Sequence, residues 1–207
     1  MLGRITLLAC IAAFPCFLGL AAVAPAAIEL AFGPEWSAAV PVVQVLALVG
    51  LLHVLFQGNH AVFKAKGRPD LSLKLAGLNA AANLALLLLV VRHGVLAVAV
   101  AYTLRAYLLA PVGLLMLRRL TGQDPLAHLR PLLPAAVAAL VMASCVAGLI
   151  EWAGPRWSAA TLLPAAIVAG AATYLLLLRC LAPQLVRELL AGGRALLSKQ
   201  PTVVTAA

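Results

Sequence analysis

The sequence predicts an all-α integral membrane protein, a bundle of about six transmembrane helices. The first observation behind this is composition: 65% of the 207 residues are hydrophobic, 10% are charged, and the mean hydropathy is +1.09. A soluble domain is about half apolar and about a quarter charged. The second is that the apolar residues fall into runs long enough to cross a bilayer. Together they exclude a soluble enzyme, a DNA-binding module and a disordered chain.

The apolar runs number six, and short polar connections punctuated by Gly and Pro separate them, as turns require. They cover residues 5–32, 38–62, 71–91, 95–117, 132–150 and 159–178. None alternates with the period of two that a membrane β-strand shows. Because backbone groups in hydrocarbon must pair within their own segment, each run is predicted to be a helix. The first run could instead be a signal peptide, but at about 28 residues it exceeds an ordinary h-region.

Basic residues predict that both termini lie in the cytoplasm. With the amino terminus inside, twelve Lys and Arg fall on the inner side, and only Arg92 and Arg156 fall on the outer side. This is the asymmetry of the positive-inside rule. Trp36, Trp152 and Trp157 all fall at the outer interface, where indole rings prefer to lie. The net charge of +9 therefore needs no nucleic-acid partner.

Two regions are predicted: a six-helix membrane bundle over residues 1–182, and an amphipathic or disordered cytoplasmic tail over residues 183–207. Catalytic patterns such as GxSxG, HExxH or a P-loop do not occur in the sequence. The four cysteines form no CxxC pair, which argues against a metal or disulfide framework. The sequence thus predicts a protein that is not an enzyme and has no cofactor.

Polar residues inside the apolar runs are the candidate substrate-binding residues, because ionisable groups in a span are costly and mark function by default. Arg105 lies near the middle of the fourth run, about 15 Å from either end, with Tyr102 on the same helical face. One interpretation is a cation in a water-filled cavity that holds a phosphate or another anion. The other is a structural arginine bonded to carbonyl groups of a neighbouring helix.

Two further polar stripes complete the candidate set. His53, Gln57 and His60 recur at i, i+4 and i+7 in the second run, and Asn79 and Asn83 lie at i and i+4 in the third. Either stripe could line a hydrophilic cavity or form hydrogen bonds between helices, worth about 1 kcal/mol per contact. For the Asn pair the sequence favours the second interpretation; for the His stripe both remain open.

Residues 29–39 (ELAFGPEWSAA) resemble the "apolar–Phe-Gly–x–x–aromatic–x–x–Ala" junction of bacterial polysaccharide flippases. These are the Wzx-type members of the multidrug/oligosaccharidyl-lipid/polysaccharide exporter superfamily. The motif Lys66-Gly67-Arg68, a helix with Asn83, and residues 94–99 (GVLAVA) follow in the family's order. Ala97 departs from the pattern, since the family often has a second Gly there. The resemblance covers about residues 20–120.

The resemblance implies one lobe, the carboxy-terminal one, of a two-lobe transporter in the bacterial inner membrane. Such a protein translocates a lipid-linked oligosaccharide, typically a polysaccharide or O-antigen repeat unit on undecaprenyl pyrophosphate. Because family members usually have twelve or more helices, the chain is expected to be truncated or partial. Its implied partners are membrane lipids, the lipid-linked oligosaccharide, and an amino-terminal lobe or polysaccharide-assembly proteins. The alternatives are a small drug/metabolite exporter acting as a dimer, and a non-transporting subunit of a polysaccharide synthesis complex.

Overall fold

The structure, a computed structural model, describes residues 2–122, 130–154 and 156–183, with all their side chains except those of residues 2–6 and 57–61. Six long helices are found in this part of the chain. They are α1 (Leu2–Phe32), α2 (Val40–Ala65), α3 (Pro69–Val90), α4 (Val95–Thr121), α5 (Leu133–Ala153) and α6 (Ala159–Leu181). Each contains a stretch long and apolar enough to cross a membrane. The predicted all-α membrane bundle is therefore confirmed.

Glycines in the left-handed region mark the places where the helices end. Gly33, Gly67, Gly94 and Gly122 have φ values of 95°, 69°, 92° and 68°, which residues with a Cβ adopt only under strain. Short 3-10 helices at Pro34–Ala39, Val91–His93 and Arg130–Leu132 complete three of the connections. Except for residue 183, the predicted tail lies outside the described residues.

The main core is built where α1 packs against α5 and α6. Cys10, Ile11, Phe14 and Leu18 of α1 are buried there. The facing side of α5 supplies mostly small side chains, which let membrane helices approach closely; its buried residues in this core are Ala135, Ala138, Ala139, Met142 and Val146. The Tyr174 hydroxyl of α6 donates a 2.7 Å hydrogen bond to the Ile11 carbonyl oxygen of α1. This bond is buried and ties the last helix to the first.

The other half of the bundle is formed by α2, α3 and α4. Two hydroxyl groups one turn apart on α4 face α2. Tyr107 donates to the carbonyl oxygen of Leu48 at 3.2 Å. The Thr103 hydroxyl lies 3.3 Å from the carbonyl oxygen of Val45, and its shorter bond, at 2.8 Å, goes to Ala99 of its own helix. By contrast, α3 lies at the edge of the bundle and buries a single residue, Leu75. Its edge position leaves open space between α3 and the α2–α4 pair.

An ion pair lies at the start of α3. Arg68 donates from Nε and Nη2 to the two carboxylate oxygens of Asp70, both at 3.0 Å. The carboxylate raises the pKa of Arg68 above its already high ordinary value. Asp70 also lies in the first turn of α3, where a negative charge favours the helix dipole. The pair is exposed, so it fixes the start of the helix rather than adding much stability.

Candidate functional site

A cavity of about 530 Å³ lies between α2, α3 and α4. Most of its wall is apolar, formed by residues such as Leu52, Phe56 and Leu109. Five polar side chains interrupt this wall: His53 from α2, Asn79 and Asn83 from α3, and Tyr102 and Arg105 from α4. The structure thus places on one cavity five of the seven residues singled out from the sequence.

Arg105 lines this cavity from α4. The residue is buried, with a relative exposure of 8%. Nη1 donates to the side-chain oxygen of Asn79 at 2.8 Å and to the carbonyl oxygen of the same residue at 3.1 Å. The guanidinium carbon lies 4.9 Å from the centroid of the Tyr102 ring, close enough for a cation–π contact. These contacts are compatible with both sequence interpretations of Arg105. It lines a cavity, as an anion-binding residue would, and it bonds to the backbone of a neighbouring helix, as a structural arginine would.

One buried polar atom of Arg105 has no hydrogen-bond partner among the described residues. Nε is buried and makes no hydrogen bond within the described part of the chain. A buried donor without a partner costs about 1–3 kcal/mol, and more when the group is charged. The Nε–H group of Arg105 would therefore be stabilised by a hydrogen-bond acceptor that binds next to it.

The two asparagines of α3 behave differently. Asn79 donates from its amide nitrogen to the Leu75 carbonyl oxygen of its own helix at 2.9 Å, which turns the amide oxygen toward Arg105. It makes the interhelical hydrogen bond expected from the sequence. Asn83 is exposed, lines the same cavity, and makes no hydrogen bond with the side chains and backbone that the structure describes. Of this pair, only Asn79 joins two helices.

Only one member of the predicted stripe on α2 has a described side chain. Nδ1 of His53 lies 3.3 Å from the carbonyl oxygen of Val49, one turn earlier, and the exposed ring lines the cavity. Gln57 and His60 belong to α2, but their side chains lie outside the described ones. Their predicted contribution to the cavity remains a prediction.

A second, smaller cavity of about 230 Å³ continues the first along α3 and α4. Asn83 and Tyr102 line both cavities and so form the boundary between them. The other lining residues of the smaller cavity are apolar, for example Leu46, Leu87 and Val98. Sequence analysis did not find it, because an apolar residue in an apolar helix carries no signal of what it lines.

The chemistry that this arrangement supports is anion binding. Among the described residues that line the cavity, Arg105 is the permanently charged one, and none is Asp or Glu. A guanidinium in a poorly solvated site attracts an anion more strongly than it does in water. Asn79, Asn83 and Tyr102 add donors and acceptors for hydroxyl groups.

Comparison with known proteins finds two relatives involved in cell-surface polysaccharides. The chain is 45% identical over 69 residues to the teichuronic acid biosynthesis protein TuaB of Bacillus subtilis (strain 168), which covers 33% of this chain and 14% of TuaB. It is 39% identical over 61 residues to the lipopolysaccharide biosynthesis protein WzxC of Escherichia coli (strain K12), which covers 30% of this chain and 12% of WzxC. The chain thus spans a small part of these relatives. No family profile and no solved structure matches it. The predicted resemblance to Wzx-type proteins is confirmed.

Proposed function

We propose that this chain forms part of a flippase that translocates a lipid-linked oligosaccharide across the bacterial inner membrane. The cargo is a polysaccharide repeat unit on undecaprenyl pyrophosphate. Similarity to TuaB and WzxC, which are named for the biosynthesis of teichuronic acid and lipopolysaccharide, supports this choice of pathway. The observation that carries the proposal is the cavity between membrane-spanning helices in which a buried arginine lies.

Arg105 suits the pyrophosphate of such a substrate. An arginine near the middle of a bilayer costs from about 3 to more than 10 kcal/mol, depending on the method, so it is retained where it has a task. Its planar fork binds phosphate oxygens in bidentate fashion, which a lysine cannot do. Nε, buried without a partner, is one of the donors that a phosphate oxygen would satisfy. Arg105 is accordingly assigned to the phosphate.

The remaining polar residues are assigned to the sugar headgroup. Asn79, Asn83, Tyr102 and His53 offer hydrogen bonds to hydroxyl groups, and Tyr102 also offers an aromatic face. We assign Gln57 and His60 to the same wall through their predicted place on the stripe of α2. In this account the chain acts by binding and moving its substrate and performs no chemical conversion.

The α2–α4 cavity would form one side of a larger substrate cavity in the complete transporter. His53 and Asn83 are exposed on its open side, and polar groups are unfavourable against hydrocarbon. A cavity of about 530 Å³ lies within the range of sites for a single small ligand, about 300–1,000 Å³, and an oligosaccharide needs more room. A second lobe facing this bundle would both cover the polar residues and enlarge the space. Residues 1–182 would then be the carboxy-terminal lobe, with both termini and the tail over residues 183–207 in the cytoplasm.

Deletion of the gene in its source organism tests the proposal. A flippase moves a finished intermediate, so its loss should remove the surface polysaccharide while the lipid-linked repeat unit accumulates in the membrane. Surface glycan is measured by immunoblot, and the intermediate by mass spectrometry of extracted lipids. Loss of both would indicate a subunit of a synthesis complex, and no change in either would indicate an exporter of unrelated compounds. Both results contradict the flippase.

A further inference from the structure

The hydrogen bonds of Arg105 join α4 to the least buried helix of the bundle. Nη1 donates to both oxygens of Asn79 in α3, and Leu75 is the one residue of α3 that is buried. Within the membrane span of α3, 6% of residues are buried, against 17–28% in the other five spans. A helix with so little packing depends more on its polar contacts for its position.

The contacts with Asn79 occupy one of the donor nitrogens that a bidentate phosphate would use. Nη1 is bonded to both oxygens of Asn79, and Nε is buried, so neither is open to an anion in this arrangement. Because a bidentate bond needs two donors of the guanidinium, we expect a phosphate to take Nη1 from Asn79. In the bond to Asn79 only the donor is charged, whereas in a bond to a phosphate oxygen both partners are charged and gain an additional Coulomb attraction. A phosphate can therefore compete successfully for the donors of Arg105.

We propose that Asn79 is an internal competitor for Arg105, and that an anionic phosphate displaces it and thereby loosens α3 from α4. We call this pair the Arg105–Asn79 latch. The choice of phosphate as the displacing anion rests on the proposed function. The consequence is a coupling between ligand binding at the cavity and the freedom of one of its walls, since a ligand shifts a conformational equilibrium by its differential affinity for the two arrangements.

The competing account is that Asn79 positions Arg105 for the ligand, and the two accounts predict opposite signs. If Asn79 competes, Asn79→Ala should bind an anion more tightly; if Asn79 positions, the same change should weaken binding. In Asn79→Ala the 2.8 Å bond to the side chain is lost, but the 3.1 Å bond to the backbone carbonyl oxygen remains available. The expected gain is therefore about tenfold in Kd, or about 1.4 kcal/mol.

The test uses the purified full chain in nanodiscs with inorganic pyrophosphate as the probe. Calorimetry gives the Kd, and hydrogen–deuterium exchange follows the amides of α3. In the wild type, pyrophosphate should raise exchange in α3 and leave α5 and α6 unchanged. Asn79→Ala should show raised exchange before pyrophosphate is added, together with the tenfold lower Kd. Asn79→Asp should pair its carboxylate with Arg105, protect α3 and raise the Kd at least tenfold.

Leu84→Ala is the control, because Leu84 lies on the same helix, is exposed, and lines neither of the two cavities. Its Kd should stay within about twofold of the wild-type value. If Asn79→Ala does not fold, Asn79→Ser is measured instead, because it removes the same amide group. An unchanged or higher Kd in Asn79→Ala, or in Asn79→Ser if that variant takes its place, overturns the latch. A wild-type α3 that responds neither to pyrophosphate nor to anionic lipid overturns it as well.

Repeating the exchange in nanodiscs of phosphatidylcholine with and without phosphatidylglycerol identifies the source of the phosphate. If the anionic lipid alone loosens α3, a lipid headgroup operates the latch; if only pyrophosphate does so, a free phosphate group operates it. Both results support displacement by phosphate. None of these measurements uses transport, so a failed latch leaves the flippase proposal standing. A gene deletion that contradicts the flippase likewise leaves the binding and exchange results in place.

Discussion

Gly50 is the point at which α1 and α2 come too close to admit a side chain. A Cβ added there would lie 2.6 Å from Cζ of Phe17 and closer still to two other atoms of that ring, whereas carbon atoms pack favourably at about 3.5–4.0 Å. In Gly50→Ala the half-buried Phe17 ring must move by about 1 Å, or the helices must separate. Overpacking of this kind costs about 1–3 kcal/mol. Ala gains about 1 kcal/mol over Gly in helix propensity, so a net loss of up to about 2 kcal/mol is expected.

Thermal unfolding of the purified protein in detergent measures this loss. For a chain of about 200 residues, 1 kcal/mol corresponds to about 2–4 °C, so the midpoint should fall by up to about 8 °C. Gly77→Ala is the matched control, because a Cβ at this helical position meets nothing within 4 Å; its midpoint should stay or rise. Phe17→Leu should restore most of the loss in Gly50→Ala. A Gly50→Ala midpoint as high as that of Gly77→Ala would refute the packing of α1 against α2.

Three further results are expected. Tyr174→Phe deprives the buried Ile11 carbonyl oxygen of its 2.7 Å partner and should lower the free energy of unfolding in a denaturant titration by about 1–2 kcal/mol; an unchanged value would contradict that bond. Tyr107→Phe should cost about 1 kcal/mol in the same assay, because it removes the 3.2 Å bond to the carbonyl oxygen of Leu48 in α2, and no loss would contradict the pairing of α4 with α2. Alkaline-phosphatase fusions should be active at Gly94 and inactive at Gly67, and the reverse pattern would invert the proposed orientation.

The helices could be predicted from the sequence because each one satisfies a local requirement. A run of apolar residues long enough to span a bilayer forms a helix whatever its neighbours are. The first and last residues of the helices were harder to predict. The predicted second run begins at residue 38, whereas α2 begins at Val40, because the chain after Gly33 first forms a 3-10 helix over Pro34–Ala39. No hydropathy pattern distinguishes these two kinds of helix.

The sequence could predict five of the residues that line the cavity, but not the contacts between them. Depth and charge identified Arg105, and spacing placed Asn79 and Asn83 on one face of a helix. Spacing within one helix does not fix its register against the next, so it could not show that Asn79 and not Asn83 meets Arg105. The same reason explains why the bond from Tyr107 to α2 was not foreseen: hydroxyl groups in a span bond to their own helix as readily as to another.

Polysaccharide export per molecule of protein in Arg105 variants tests whether Arg105 holds the phosphate of a lipid-linked substrate. Export and membrane abundance are measured in the same strains, with the complete transporter expressed. Arg105→Ala leaves Asn79 without its donor but removes a costly buried cation, so abundance should be retained while export is lost. Arg105→Lys keeps the charge without the fork and should retain part of the export. Full export per molecule in Arg105→Ala would contradict the claim.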